Sequence, residues 1–111
     1  MRIFVRPSAG WPSDVSEQVQ KRLEFAMGRF AGRVRSLSVR LTDLNGPRGG
    51  VDKKCLIAVR LDRPRRVIVI EDVDADESAL VGRAADRAAR AVSRAIQAAA
   101  DWRATARHTV R

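Results

Sequence analysis

The sequence comprises 111 residues with a formal net charge of +9 at pH 7, because 22 lysines and arginines outweigh 13 acidic residues. This length predicts one domain with a modest core, and so basic a domain points to nucleic acid or another polyanion as its partner. No apolar run approaches the roughly 20 residues that span a bilayer, and the N-terminus lacks the pattern of a signal peptide. The single cysteine, Cys55, excludes an internal disulfide and favours a cytoplasmic location.

The first part of the chain predicts a strand followed by a helix. Residues 2–6 alternate polar and apolar side chains, which is typical of a short strand, and residues 7–12 form a loop. Apolar residues then recur at helical spacing over 14–31, with Ser13 as the predicted N-cap and Gly32 as the end of the helix. The side chains predicted to face the core are Val15, Val19, Leu23, Ala26 and Phe30.

Three further strands are predicted in the middle of the chain. Residues 34–42 and 54–61 alternate apolar and polar side chains, and the connection between them contains the glycine-rich stretch 45–50. Residues 63–65 make a tight turn around a proline, and the β-branched residues that follow predict a strand over 66–71. The stretch 45–50 is interpreted either as a mobile hairpin or as a finger that touches the RNA backbone.

The last predicted element is a helix of about 24 residues, or roughly 36 Å. Acidic residues at 72–77 precede it and would stabilise its N-terminus, with Asp74 and Glu77 resembling a capping box. Four arginines spaced four, three and four apart lie on one side of this helix: Arg83, Arg87, Arg90 and Arg94. The opposite, apolar side is formed by Val81, Ala85, Ala88, Val92, Ala95 and Ala99.

These elements predict an α+β fold in the order β-α-β-β-β-α. The simplest arrangement is a four-stranded mixed sheet with both helices packed on one face, and a right-handed parallel crossover joins the first two strands. Both helices would then present their basic sides away from the sheet. The domain is expected over residues 1–101, followed by a frayed C-terminal tail over 102–111.

The residues give little support for catalysis or for a cofactor. The acidic stretch from Asp72 lacks the glycine and the final glutamate of a calcium loop, and His108 has no partner at metal-ligand spacing. Cys55 is interpreted as a core residue rather than a reactive thiol. We therefore predict a protein that is not an enzyme and that uses no metal or cofactor.

Three stretches together resemble the ribosome hibernation-promoting factor family, also called ribosome-associated inhibitor A or sigma-54 modulation protein. They are residues 29–34 (RFAGRV), 39–46 (VRLTDLNG) and 52–61 (DKKCLIAVRL). With the strand pattern and the basic last helix, the resemblance extends over about residues 2–100. It implies the short form of the family, without the second domain through which long members dimerise ribosomes. A short-form protein is expected to be monomeric when free.

The resemblance also implies a function. Family members bind the small ribosomal subunit in the channel used by messenger RNA and transfer RNA, so the expected partner is that subunit and its rRNA. The protein would inhibit or protect idle ribosomes during stress. Carried over by position on the two helices, the expected RNA contacts are Lys21, Arg22, Arg29, Arg83, Arg87, Arg90 and Arg94. If the stretch 45–50 acts as a finger, secondary contacts would come from Arg48, Lys53 and Lys54.

Two other functions stay open at this point. A free double-stranded RNA-binding module also places helices on one face of a sheet, but its order is α-β-β-β-α, so the N-terminal strand argues against it. A module that modulates a sigma factor is suggested by the older family name alone.

Phe25 lies among basic residues, where it could stack on a base or pack against the neighbouring helix; packing is the favoured interpretation.

Overall fold

A computed structural model describes residues 1–44 and 52–109 of the chain, with the backbone alone for 107–109. The helices and strands of this part follow the predicted order β-α-β-β-β-α. They are β1 (Arg2–Pro7), α1 (Val15–Met27), β2 (Val34–Asp43), β3 (Lys53–Leu61), β4 (Arg66–Asp74) and α2 (Glu77–Thr109). A short 3-10 turn over Gly28–Phe30 follows α1.

The four strands form one mixed sheet in the order β1-β2-β3-β4. β1 runs parallel to β2, which requires a crossover between them, and α1 supplies it. β2 and β3 are antiparallel, and so are β3 and β4. Ile57 marks the centre of the sheet, because it pairs with Val39 on one side and with Ile70 on the other. The predicted α+β fold is confirmed.

The core lies between one face of the sheet and the two helices. The sheet contributes alternate residues of its strands, as strand geometry requires: Leu37, Val39, Leu41, Cys55, Ile57, Val59, Leu61 and Ile70. The predicted face of α1 is buried at Val15, Val19 and Leu23 and continues to Met27. α2 contributes mainly small side chains, which let it lie close to the sheet: Leu80, Ala84, Ala85, Ala88, Ala89, Val92 and Ala95.

A β-bulge interrupts the start of β2. Val34 pairs with Leu61 and Ser36 with Arg60, so two steps along β2 match one step along β3. Arg35 is the extra residue. The bulge buries Val34 in the core and leaves Arg35 exposed, because an inserted residue reverses the alternation of faces.

Several boundaries differ from the sequence predictions. α1 ends at Met27 rather than near 31, where Gly28, a poor helix former, begins a tighter turn. β4 extends three residues past Glu71 because β3 begins at Lys53 and pairs with it up to Asp74. α2 has 33 residues instead of about 24, since its alanines and arginines favour a helix and no glycine or proline follows Gly82. The boundary after residue 101 stays a prediction, although the helix continues through it to Thr109.

Both predicted helix caps are wrong. The N-cap of α1 is Asp14 rather than Ser13, because a turn in which Val15 N–H donates to the Pro12 carbonyl delays the helix. The N-cap of α2 is Asp76, whose Oδ1 accepts from the Ala79 N–H at 3.1 Å.

The described residues contain no helix with the length and apolar composition that crossing a bilayer requires.

Candidate nucleic-acid interface

The side of α2 that carries the arginines lies beside the edge strand β4. The alternation along β4 puts Asp72 and Asp74 on the same face as Ile70, the face that α2 covers. Arg83 therefore meets both carboxylates: its Nε lies 2.7 Å from Asp72 Oδ2, and its Nη1 lies 3.0 Å from Asp74 Oδ2. Its Nη2 also donates to Asp72 Oδ1 at 3.0 Å, which completes a two-pronged contact with that carboxylate.

Arg87 joins the same cluster one helical turn later. Its Nη1 donates to Asp72 Oδ2 at 3.1 Å and to the Glu71 carbonyl at 3.0 Å. The Arg83 hydrogen bonds are the largest cause that lowers the pKa of Asp72 to about 2, and the Arg87 hydrogen bond adds to them. The pKa of Asp74 is also lowered, first by the Asp76 backbone N–H and then by Arg83.

The prediction that all four guanidinium groups point away from the sheet is thus wrong for Arg83 and Arg87. These two groups hold α2 against the edge of the sheet. The acidic stretch supplies their partners at Asp72 and Asp74. Asp76, rather than the predicted Asp74, caps the helix, and Glu77 lies in its first turn as expected of a stabilising acidic residue. Both arginines keep about two fifths of their side-chain surface exposed, so RNA contact by either stays a prediction.

Basic residues of α1 are also partly neutralised within the protein. Arg22 reaches across to α2, where its Nη2 lies 3.4 Å from Asp86 Oδ2. Lys21 pairs with Glu17 one turn earlier at 3.3 Å, and both side chains are mostly exposed. Such exposed pairs contribute little to stability.

Three of the predicted contact residues have no carboxylate partner in the described part of the chain: Arg29, Arg90 and Arg94. The Arg29 guanidinium lies 4.7 Å from the centre of the Phe30 ring, which orients it without neutralising it. Arg29 and Arg90 line opposite walls of an open groove of about 390 Å³ between the helices. Arg94 lies farther along α2, beside the first residues of β4.

Phe25 also lines the groove between the helices. Its side chain is 84% exposed, so the favoured prediction that it packs against the neighbouring helix is wrong. α1 turns Leu23 and Met27 towards the core, and position 25 lies on the opposite side. A role in stacking on an RNA base stays a prediction.

The residues predicted as secondary contacts are placed differently. Lys53 is nearly enclosed, with 15% of its side chain exposed, between Asp43 and Glu77 at 3.5 Å each. Its Nζ also lies 5.1 Å from the centre of the Trp11 ring. Lys54 pairs with Glu71 at 3.5 Å on the outer face of the sheet. Arg48 lies outside the described residues.

One basic residue near this interface was missed by the sequence analysis. Arg66, the first residue of β4, lies beside Arg94 and lines the same cleft between β4 and α2. Its pairing with Leu61 places it at the end of the sheet that α2 reaches around Arg94. The antiparallel hairpin implied by the turn at 63–65 was the signal that could have found it.

Cys55 and the potential metal ligands are the groups that the sequence offered for chemistry. Cys55 is fully buried, and burial, with a smaller effect of the Asp72 charge, raises the pKa of its thiol to about 12. A thiol with so high a pKa stays protonated and is a poor nucleophile. No group of three or more potential metal ligands is present among the described side chains, and the His108 side chain is outside them.

Comparison with solved structures identifies proteins with the same arrangement. The N-terminal domain of Protein Y from Thermus thermophilus matches with a TM-score of 0.67 and 25% sequence identity, over 85% of this chain and 98% of that one. A ribosomal subunit interface protein from Coxiella burnetii matches with a TM-score of 0.67 and 14% identity, over 85% of this chain and 96% of that one. Both belong to the ribosome hibernation-promoting factor family. The resemblance to that family is confirmed.

The chain resembles the family in its fold, over most of the length of the chain. No protein-family model and no curated protein matches the sequence. This chain begins with the strand β1, which pairs in parallel with β2. The order α-β-β-β-α of a double-stranded RNA-binding module therefore does not describe this chain.

Proposed function

We propose that this protein is a ribosome-associated factor that is not an enzyme. It binds the small ribosomal subunit and its rRNA through the basic face formed by α1 and α2, and so inhibits or protects idle ribosomes under stress. The observation that carries the proposal is the match over 85% of the chain to the N-terminal domain of Protein Y, supported by the fold of a ribosomal subunit interface protein.

The charge distribution supports an RNA partner. The chain carries a net charge of +9, and Arg29, Arg90 and Arg94 present guanidinium groups that no described carboxylate neutralises. Arginine pairs well with phosphate because its planar donors match two phosphate oxygens. Contacts of this kind recognise the RNA backbone and its shape more than its sequence.

The contacts inside the protein divide the predicted residues into two groups. Arg29, Arg90 and Arg94 are the proposed principal RNA contacts, with Lys21 and Arg22 joining them after exchanging weak partners. Arg83 and Arg87 are proposed to contribute mainly by holding α2 against β4, with their exposed parts at the margin of the contact. A test of binding is therefore clearest at Arg90 and Arg94, whose replacement leaves Asp72 paired.

Charge reversal of Arg90 and Arg94 tests the proposed interface. We expect the Arg90→Glu/Arg94→Glu variant to keep its far-ultraviolet circular dichroism and melting temperature but to bind small subunits at least about tenfold more weakly in co-sedimentation. The slope of log affinity against log salt should also become shallower, by about 0.7–0.9 per lost phosphate contact. Arg90 and Arg94 make no ion pair in the described structure, so folding is expected to tolerate the change.

A matched control separates this interface from a general effect of charge. Arg6→Glu/Arg103→Glu changes the net charge equally, at exposed positions outside the proposed contact surface, and should bind far more tightly than the interface variant. If a folded Arg90→Glu/Arg94→Glu protein co-sediments as well as the wild type, the assignment of the interface is wrong. If the wild type itself does not bind small subunits, the proposed function is wrong.

A further inference from the structure

A second concentration of positive charge lies at the end of the sheet, away from the groove between the helices. Four arginines meet where β2 begins, β3 ends and β4 begins: Arg35, Arg60, Arg65 and Arg66. They line an open cavity of about 470 Å³, together with Leu61 and Val67.

The four arginines have no ion-pair partner in the described part of the chain. Asp62 is the acidic residue nearest to them in the sequence, and it forms no ion pair with them. Arg22, Arg83 and Arg87, by contrast, all contact carboxylates. Like charges gathered around one cavity repel each other, and a bound anion would relieve that repulsion.

The backbone places these side chains together through two separate features. The β3–β4 hairpin brings Arg60, Arg65 and Arg66 to one end of the sheet, since Leu61 pairs with Arg66. The bulge in β2 adds Arg35, which regular alternation would have turned towards the core alongside Leu37. Bulges often serve to re-aim a side chain next to a functional site, and this one completes the wall of the cavity.

We propose that this cavity is a binding site for a chain of two or more phosphate groups. Each guanidinium group can donate two parallel hydrogen bonds to phosphate oxygens, and four of them match the high negative charge of linked phosphates. The ligand chemistry is common to an RNA backbone and to a free polyphosphate or nucleoside polyphosphate. The cavity shares no residue with the groove that contains Arg29 and Arg90, but Arg66 and Val67 also line the cleft beside Arg94. The variants therefore change Arg35 and Arg60, which lie outside that cleft.

Calorimetric titration of the full chain with inorganic tripolyphosphate tests the site directly. We expect saturable binding by the wild type and binding at least about tenfold weaker in Arg35→Gln/Arg60→Gln. The control Arg6→Gln/Arg103→Gln removes the same charge at exposed positions outside the cavity and should bind as the wild type does. Arg65→Gln, in the turn between the strands, provides a second variant should the double substitution lower the melting temperature.

Co-sedimentation of the same variants with small subunits distinguishes the source of the phosphates. Tripolyphosphate binding that depends on Arg35 and Arg60, with subunit binding unchanged, supports a free polyphosphate or nucleotide. The RNA backbone is the source if Arg35→Gln/Arg60→Gln binds subunits more weakly and with a smaller salt dependence, while the wild type shows no saturable tripolyphosphate binding. If the cavity variants match the control in both measurements, the assignment of the phosphate site is wrong. That conclusion holds whether or not the Arg90→Glu/Arg94→Glu variant loses subunit binding.

Discussion

Asp72 is the residue on which the docking of α2 depends most directly. One carboxylate accepts hydrogen bonds from both Arg83 and Arg87, at 2.7–3.1 Å, and only 16% of its side chain is exposed. Charge-assisted hydrogen bonds are shorter and stronger than neutral ones. Asp72 therefore fixes the helix against the edge strand and, at the same time, takes two arginines away from the free basic surface.

The lowered pKa of Asp72 makes part of the stability dependent on pH. A carboxyl group whose pKa falls on folding stabilises the native state fully above its ordinary value of 3.8. We expect that contribution to disappear as the pH falls from 3.8 towards 2, because the native group then takes up a proton. Asp72→Asn should flatten this part of the stability curve and lower the free energy of unfolding at neutral pH by on the order of 1 kcal/mol.

Urea unfolding at a series of pH values measures both effects. Asp101→Asn is the control, because Asp101 is exposed and accepts a hydrogen bond from Gln97 rather than from an arginine. An Asp72→Asn protein that loses stability in acid as steeply as the wild type would contradict the assigned role of Asp72.

For individual residues, the sequence shows which side chains are charged but not which of them form ion pairs with each other. The four arginines of α2 share one side of the helix, as their spacing indicates. Whether a guanidinium group is free depends on what lies beside it, and Arg83 differs from Arg90 only because β4 places a carboxylate next to it. The β-branched pattern predicts that this strand ends at Glu71, which places Asp72 in the wrong element.

Among the elements, α2 shows how small side chains set the distance between a helix and a sheet. Ala84, Ala85 and Ala88 are fully buried, and their methyl groups allow close approach. Interiors are packed densely enough for added methylene groups to force a shift. The alanine side of α2 therefore determines where the arginines on its other side are held.

Enlarging the alanine side should be costly. We expect Ala88→Leu to destabilise the protein by about 1–3 kcal/mol, because the added atoms overpack the contact with the sheet. Ala104→Leu makes the same change at an exposed position of the same helix and should alter stability by less than about 0.5 kcal/mol. Equal unfolding free energies for the two variants would show that α2 does not pack as closely as described.

Most elements could be predicted because periodicity reports burial. Val15, Val19 and Leu23 in α1 follow the helical repeat, and Ile57 and Val59 in β3 follow the alternation of a strand. The ends were harder to predict: Val73 and Asp74 extend β4 only because β3 offers matching partners. Pairing of this kind connects residues far apart in the sequence, so a local pattern does not reveal it.

The part of the chain that the structure describes is elongated, with principal extents of 64 × 21 × 17 Å. At 1.5 Å per residue, the 33 residues of α2 extend roughly 50 Å, whereas a strand of nine residues extends roughly 30 Å. The helix therefore projects beyond the sheet at its C-terminal end, where Trp102 is 72% exposed.

This projection should contribute little to the stability of the domain. We expect a chain ending at Asp101 to unfold with a free energy within about 1 kcal/mol of the wild type, because few buried contacts are removed. A chain ending at Arg94 also loses the buried Ala95 and the partly buried Ile96 and should be clearly less stable. Thermal and urea unfolding of both shortened proteins would check this, and similar losses in the two would contradict it.

At the scale of the molecule, net charge pointed to a polyanion but not to where it binds. Helical spacing and the family resemblance both pointed to the basic residues of α1 and α2. The four arginines around Leu61 escaped notice because three strands and a turn supply them, and because Arg35 reaches the cavity only through an irregularity in β2. Residues brought together by strand pairing and a bulge leave no signal at a fixed spacing.

The bulge in β2 gives this strand one residue more than its pairing with β3 uses. Between the pairs Val34–Leu61 and Ser36–Arg60, β2 contains one residue more than the ladder needs. With that residue left out of the count, Val34 and Leu37 alternate correctly and both face inwards, so the ladder and the core are already complete. The sheet pairing and the core therefore do not require Arg35, and the proposed phosphate site is where its side chain would act.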